Sequence, residues 1–420
     1  MNILLKQVTI TDPQSPFNGK EYDILIENNT ISKIGTNLSD KATVIVAEEG
    51  LCVSPGWIDI FAHFGEPGYE YKESFETGAA AAAAGGYTGV FTIPNNKPIA
   101  DNKSLINFAA KQSASLPVNI YPIGAITKQT DGKDLAEMYD MRVGGAKAFS
   151  DGLNPVQSPG LFLKALQYVK AFDGVLIQVP IDKSIGSSGL MNEGIISTRL
   201  GLPGIPALAE EILVKRDIDL LAYTQSKLHI TGISTAGSVK LIKAAKESGL
   251  NITCSVTPYH LFFCDEDLQS YDTYLKVNPP LRTKADMLAL REAVANGIVD
   301  CIASHHLPQD WDHKICEFEY ALFGMIGLET AYPVINHIID NLSNDQLVRL
   351  FSLNARNIFH LPTTHIDENE IAELTIYARN GTTVYEKDQF KSTSQNSAFT
   401  GRELKGLVYG TIKNGKLYTN

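Results

Sequence analysis

The sequence has no long basic run, no long apolar run and no paired cysteine motif. The formal net charge is -11 at pH 7 and Lys and Arg are scattered, so a nucleic-acid surface, which needs clustered basic residues, is not expected. The longest apolar run, at 79–84, is much shorter than a membrane span, and the N-terminus lacks the layout of a signal peptide. The five cysteines contain no CxxC pair, which favours a reducing cytoplasm over a disulfide framework.

Length and hydrophobic periodicity predict an α/β chain with a (β/α)8 barrel and a smaller β module. The 420 residues suit a barrel plus a second unit. Eight short apolar runs alternate with helical stretches, as in parallel αβ barrels; they lie at 56–64, 88–95, 118–126, 145–152, 174–180, 227–234, 252–258 and 299–306. Both chain ends read as β structure, so we expect 1–53 and 366–420 to form one composite β-sandwich and 54–365 to form the barrel.

The stretch SPGWIDIFAHFGEP, at 54–67, reads as the first barrel strand. Apolar residues alternate there with Asp59, Phe61 and His63, so these three should share one face at the strand's C-terminal end. Barrel enzymes build their chemistry at that end. A metal hydrolase would place histidines at both 61 and 63, but a phenyl ring has no lone pair to give a cation.

Five phrases, taken in order, carry a specific resemblance. They are PGWID-x-x-x-H, GEPGYEYKE, GGYTGVFTIPNNKP, KVNPPLRT and FGMIGLET, beginning at 55, 65, 85, 276 and 323. On these phrases the chain resembles dihydroorotase, a cyclic amidohydrolase. The resemblance implies an amidohydrolase-type barrel in which zinc activates a water for attack on the ring amide of dihydroorotate, while a strand-end Asp moves the proton.

The same resemblance implies that several metal positions are degenerate. Phe61 stands in place of one histidine of the first strand, and His63 remains. Gln178 stands where a third histidine is expected, and Gly232 where a fourth is expected. A neutral amide is a poor zinc ligand and glycine has no side chain. His305 occupies the place of the catalytic Asp.

Of the remaining family positions, two match a residue that relatives use and two do not. Lys147 matches the carboxylated lysine that bridges metals in some relatives, and Asp151 matches the aspartate that others use. Gly65 replaces an arginine that grips the substrate carboxylate, and Gln309 replaces a substrate-side histidine.

Asn95 and Asn278 match substrate-contacting asparagines, although both could instead tie loops together. A rearranged centre of His63, Asp151 and His305 has suitable ligand types for zinc. The plainer interpretation is that these three are polar residues in a vacated pocket.

Three functions remain open from the sequence. The first is a non-catalytic dihydroorotase homologue without a cofactor, acting structurally or in regulation, for example as a partner of aspartate transcarbamoylase. The second is an active dihydroorotase with an atypical zinc site. The third is a metal-free binding protein for a small pyrimidine-like ligand. A homodimer is expected from the prevalence of two-fold pairs and from the family.

Overall fold

A computed structural model describes residues 2–39 and 42–420. Its strands are β1 (Ile3–Ile10), β2 (Glu21–Glu27), β3 (Thr30–Gly35), β4 (Val44–Val46), β5 (Leu51–Pro55), β6 (Trp57–Ala62), β7 (Tyr87–Thr92), β8 (Asn119–Pro122), β9 (Leu176–Gln178), β10 (Met191–Asn192), β11 (Gly204–Ile205), β12 (Leu228–Thr231), β13 (Ile252–Val256), β14 (Cys301–Ile302), β15 (Leu374–Val384), β16 (Glu403–Lys413) and β17 (Lys416–Thr419).

Helices fill the intervals between the barrel strands, as the alternating pattern predicts. They are α1 (Phe75–Ala84), α2 (Lys103–Gln112), α3 (Met138–Val143), α4 (Pro159–Lys170), α5 (Ile195–Leu200), α6 (Leu208–Thr224), α7 (Ala236–Glu247), α8 (Pro258–Phe262), α9 (Lys284–Ala295), α10 (Ala331–Ile338), α11 (Asn344–Val348) and α12 (Asn354–Ile358). None of the helices within the described ranges is both long and apolar enough to cross a membrane.

Parallel pairing closes the barrel at eight positions, as the eight apolar runs predict. One set of paired strands runs β6, β7, β8 and another runs β9, β12, β13, β14. Phe149 bridges the two sets by pairing with Gly124 and with Leu176, and Ala62 pairs with His306 to complete the ring. The carboxyl ends of all eight positions therefore surround one mouth.

The two chain ends share a single sheet outside the barrel. Its strand order is β17, β16, β15, β5, β1, β2, β3, with β4 paired to β1. The sheet has its own apolar core, which includes Ile3, Ile24, Val53, Ile376 and Ile412. β15 lies between β5 and β16 and pairs antiparallel with both, so the sheet needs residues from both ends of the chain.

Trp57, at the start of β6, joins the barrel to this sheet. The side chain is fully buried, and its ring centroid lies 4.9–5.2 Å from those of Tyr332, Phe351 and Tyr377. Its indole N–H donates to Ser54 Oγ at 2.9 Å. Because Tyr377 belongs to β15, one aromatic cluster fixes the first barrel strand against the sheet.

We expect Trp57→Ala to destabilise the fold by about 3–5 kcal/mol, since it removes a large buried aromatic side chain. Trp311→Ala is the matched control, because the chain's other tryptophan is 63% exposed, and surface substitutions change stability by about 0.5 kcal/mol. Urea unfolding followed by circular dichroism measures both. Equal losses in the two variants would contradict the role given to Trp57.

Candidate functional site at the barrel mouth

Two aromatic rings stack across the barrel mouth. Phe61, from β6, is 2% exposed, and its ring centroid lies 4.4 Å from that of the His305 imidazole, with 30° between the planes. Tilted stacking at this distance is a favourable aromatic contact. Two residues that the resemblance leads us to expect in place of a metal ligand and of the catalytic Asp thus pack on each other.

Gly232 leaves the space that the His305 ring occupies. A Cβ atom at position 232 would lie 2.5 Å from Cε1 of His305, closer than real Cβ contacts. Gly232 also has φ +73°, in the left-handed region that favours glycine. A side chain at 232 and the present position of the His305 ring therefore exclude each other.

His305 is held as a neutral group. Its Nε2 lies 2.8 Å from Thr231 Oγ1. Burial lowers the pKa of His305 to about 3, with the nearby His260 and His229 acting in the same direction. At neutral pH it supplies neither the negative charge of an aspartate nor a cation.

His63 is bonded to a neighbouring loop. Its Nε2 lies 3.0 Å from Asn96 Oδ1, and Asn96 Nδ2 donates to Glu66 O at 2.7 Å. Since the amide oxygen can only accept, His63 Nε2 carries the proton. Burial lowers the pKa of His63 to about 4.

Asp151 is fully buried and its carboxylate is bonded to Thr127. Oδ1 accepts the backbone N–H of Thr127 at 2.8 Å, and Oδ2 accepts the Thr127 hydroxyl. Burial raises the pKa of Asp151 to about 6. Within residues 2–39 and 42–420, no three His, Cys, Asp or Glu side chains are grouped so that they could hold a metal ion. The structure therefore does not assemble His63, Asp151 and His305 into one centre.

Gln178 does not face the mouth, and this corrects the expected position of the third histidine. Its neighbours Ile177 and Val179 belong to the barrel's inner core. Because side chains alternate along a strand, Gln178 points outward, where its Nε2 donates to Val156 O at 3.3 Å. Val179 is the inward-facing residue that the sequence analysis missed, although counting the alternation along 174–180 would have found it.

The two positions expected to contact substrate, Gly65 and Gln309, are blocked by backbone or hydrogen-bonded to other residues. A Cβ atom at Gly65 would lie 2.5 Å from Tyr69 O and 3.0 Å from Glu73 O, so an arginine cannot be placed there without moving that backbone. Gln309 Oε1 accepts from Lys72 Nζ at 2.8 Å, and its Nε2 donates to Phe323 O at 2.8 Å.

The two asparagines differ in their surroundings. Asn95 joins loops, since its Nδ2 donates to Asp151 O at 3.1 Å and its Oδ1 accepts from Leu153 N at 3.0 Å. Asn278 is exposed at the rim of the mouth. Lys147 is half-buried, and burial together with the charge of Arg142 lowers its pKa.

The space remaining at the mouth is very small. A cavity of about 20 Å³ is lined by residues that include Phe61, Ile93, Tyr259, Asn278 and His305. That volume holds about one water, whereas pockets for small ligands measure about 300–1,000 Å³. A substrate ring fits only if the Phe61–His305 stack moves.

The residues present do not fit a zinc ion. Phe61, Val179 and Gly232 offer no lone pair from a side chain, and His63 Nε2 uses its proton to bond Asn96. Catalytic zinc needs about three protein ligands and an open position. The donor set at this mouth falls short of that requirement.

Comparison with known proteins gives the family. A family model described as "Dihydro-orotase-like" matches residues 50–238. The protein named "Dihydroorotase" from Pelotomaculum thermopropionicum is 41% identical, over 99% of this chain and 98% of its own. That from Acetivibrio thermocellus is 40% identical, with the same coverage of both chains.

Solved structures that share this fold include hydantoinases and dihydropyrimidinases. "L-Hydantoinase (Dihydropyrimidinase) from Arthrobacter aurescens" superposes with a TM-score of 0.87 at 21% identity, over 100% of this chain and 96% of its own. The dihydropyrimidinase from Brevibacillus agri NCHU1002 gives 0.83 at 17% identity, over 100% and 95%. These structures share the barrel architecture, and the relatives with about 40% identity place this chain in the dihydroorotase family.

Proposed function

We propose that this chain is a non-catalytic dihydroorotase homologue of pyrimidine biosynthesis with a structural or regulatory role in the cytoplasm. The observation that carries the proposal is the Phe61–His305 stack in the space left by Gly232. Each of the three residues lacks a chemical group that zinc hydrolysis needs, and the two rings fill the volume where substrate and metal would lie.

The partner that we propose is aspartate transcarbamoylase, and the chain itself is proposed to form a homodimer. The retained family phrases support a conserved shape, because their buried residues hold the scaffold. Glu73, Glu329 and Trp57 all come from these phrases and are at most 5% exposed. A scaffold kept intact around a closed mouth suits a protein that is recognised by its surface.

Two other functions have narrower support. An active dihydroorotase with an atypical metal site is supported by the relatives of that name at 40–41% identity. A metal-free protein for a small pyrimidine-like ligand is supported by the aromatic lining of a second cavity, of about 190 Å³, which includes Tyr71, Tyr274 and Trp311. Base-sized rings stack on such side chains.

Gly232→Ala should destabilise the protein by about 1–3 kcal/mol, because its Cβ overlaps the His305 ring. In a His305→Ala background the ring is gone, and only the backbone strain of about 1 kcal/mol remains. Urea unfolding of the wild type, the two single variants and the double variant gives the coupling energy between positions 232 and 305.

Gly249→Ala is the matched control for Gly232→Ala in this double-mutant cycle. Gly249 has φ +83°, and a Cβ there would meet nothing within 4 Å. Its cost should be the same with and without His305. A coupling between positions 232 and 305 no larger than that between 249 and 305 would contradict the exclusion between Gly232 and the His305 ring.

Protein purified without chelators should contain less than one zinc per chain and should not hydrolyse dihydroorotate. The Pelotomaculum relative named "Dihydroorotase", prepared in the same way, serves as the comparison for both assays. Stoichiometric zinc, with hydrolysis that disappears in Asp151→Ala or His305→Ala, would overturn the non-catalytic proposal and favour the active enzyme.

Mixing this chain with aspartate transcarbamoylase of the same organism should give a complex of higher mass by size-exclusion chromatography with light scattering. The chain alone should elute at twice the mass of 45.8 kDa. If no complex forms at micromolar concentrations, the partner assignment fails, while the zinc and hydrolysis results still decide whether the chain is catalytic.

A further inference from the structure

The inner faces of two adjacent barrel strands are polar, while the rest of the barrel interior is largely apolar. β12 contributes His229 and Thr231, and β13 contributes Thr253 and Ser255, paired across the strands as His229 with Thr253 and Thr231 with Ser255. The apolar inner core includes side chains from other strands such as Ile58, Phe91, Ile123, Ile177 and Ala303. A polar strip inside such a core needs internal hydrogen-bond partners.

These side chains and His305 form one continuous hydrogen-bonded series, which we call the polar chain. Thr253 Oγ1 lies 2.8 Å from His229 Nδ1, and His229 Nε2 lies 3.0 Å from Ser255 Oγ. Ser255 Oγ lies 2.8 Å from Thr231 Oγ1, which lies 2.8 Å from His305 Nε2. All four distances are those of good hydrogen bonds.

The polar chain connects two cavities at opposite ends of the barrel. Half-buried Thr253 lines a cavity of about 290 Å³ at the N-terminal ends of the strands, together with Lys227, Asn251 and His360. That cavity has room for several waters. At the other end, His305 lines the cavity at the mouth.

Every member of the polar chain can both donate and accept. Hydroxyl groups do both, and a neutral imidazole donates from one nitrogen and accepts at the other. Burial lowers the pKa values of His229 and His305 to about 3, so both rings are neutral at pH 7. The four bonds can therefore all run toward the mouth or all run away from it.

We propose that Thr253, His229, Ser255, Thr231 and His305 form a proton relay through the barrel, which exchanges protons between water in the lower cavity and Nδ1 of His305 at the mouth. Imidazoles serve as proton shuttles in this way, and bonds in a continuous series strengthen one another.

In one transfer, a proton enters the relay at the mouth and another leaves it at Thr253. Before the transfer, His305 Nδ1 carries no proton, and His305 Nε2–H donates to Thr231. The Thr231 hydroxyl donates to Ser255, and the Ser255 hydroxyl donates to His229 Nε2. His229 Nδ1–H donates to Thr253. A proton from a group at the mouth binds His305 Nδ1. Each of the four hydrogen-bonded protons then moves one place, and Thr253 releases its proton to water. Afterwards every bond points the opposite way and no net charge remains on the chain.

The relay lets His305 Nδ1 act either as a hydrogen-bond acceptor or as a donor at the mouth. In one orientation His305 Nδ1 accepts a hydrogen bond from whatever lies in the mouth cavity, and in the other Nδ1–H donates one. The state of the mouth then depends on the opposite face of the barrel. This inference is independent of whether the chain hydrolyses dihydroorotate.

The test compares Thr253→Val with Thr253→Ser in ¹⁵N-histidine-labelled protein. Val keeps the shape of Thr but ends the relay, whereas Ser keeps the hydroxyl. Long-range ¹H–¹⁵N spectra report the tautomer of each imidazole, and loss of signals in His305→Gln assigns His305. We expect Thr253→Val to change the tautomer ratio of His305 about fivefold, the equivalent of one neutral hydrogen bond, and Thr253→Ser to leave it as in the wild type.

Two further readouts keep the result clear. Ser255→Ala breaks the middle of the relay and should change the tautomer ratio of His305 in the same way. If Ser255→Ala does not fold, the two substitutions at half-buried Thr253 still test the relay. His260, which is bonded to Thr257 and to Pro279 O outside the relay, should keep its signals in every variant. A Thr253→Val spectrum in which His229 alone changes would overturn the relay.

Discussion

The volume at the barrel mouth, which admits one stacked pair of rings, is the constraint on which the rest of the site depends. Protein interiors are close-packed, so the space beside Gly232, which has no side chain, has to be filled by another group. The His305 ring fills that space and Phe61 covers it. Because each ring is positioned by the other, a substitution at position 61, 232 or 305 alone would create an overlap or a void.

Two glutamates within the family phrases hold separate parts of the molecule together. Glu73 bonds His306 Nε2 at 3.2 Å and accepts from the backbone N–H of Thr393 at 3.1 Å. Glu329 accepts the backbone N–H of Lys391 at 3.0 Å. These buried carboxylates attach the 391–393 segment to the rim of the mouth. Removing either glutamate would break these hydrogen bonds, a loss unrelated to catalysis.

The fold could be predicted from the sequence because it depends on local patterns. Eight short apolar runs between helical stretches predicted the barrel positions, and the β structure expected at both chain ends predicted the terminal sheet. The placement of Gln178 was wrong because matching a motif one residue out of step exchanges the two faces of a strand. Val179, one residue further, faces the core.

Other features of the site depend on contacts between residues far apart in the chain. His63 finds Asn96, which lies 33 residues later, and His305 finds Gly232 across the mouth. The polar chain needs the exact register of β12 against β13, which a single sequence does not specify. Each of these residues has an ordinary local context, so only the assembled barrel distinguishes them from scattered polar side chains.

The position of β15 in the terminal sheet has a consequence for synthesis on the ribosome. β5 is buried along its whole length and pairs with β15, which comes more than 300 residues later. While the barrel emerges, β5 keeps an open, apolar edge, the kind of edge that recruits strands from other molecules. A nascent or prematurely terminated polypeptide that stops before residue 374 therefore exposes a template for self-association, and only translation of the last segment removes it.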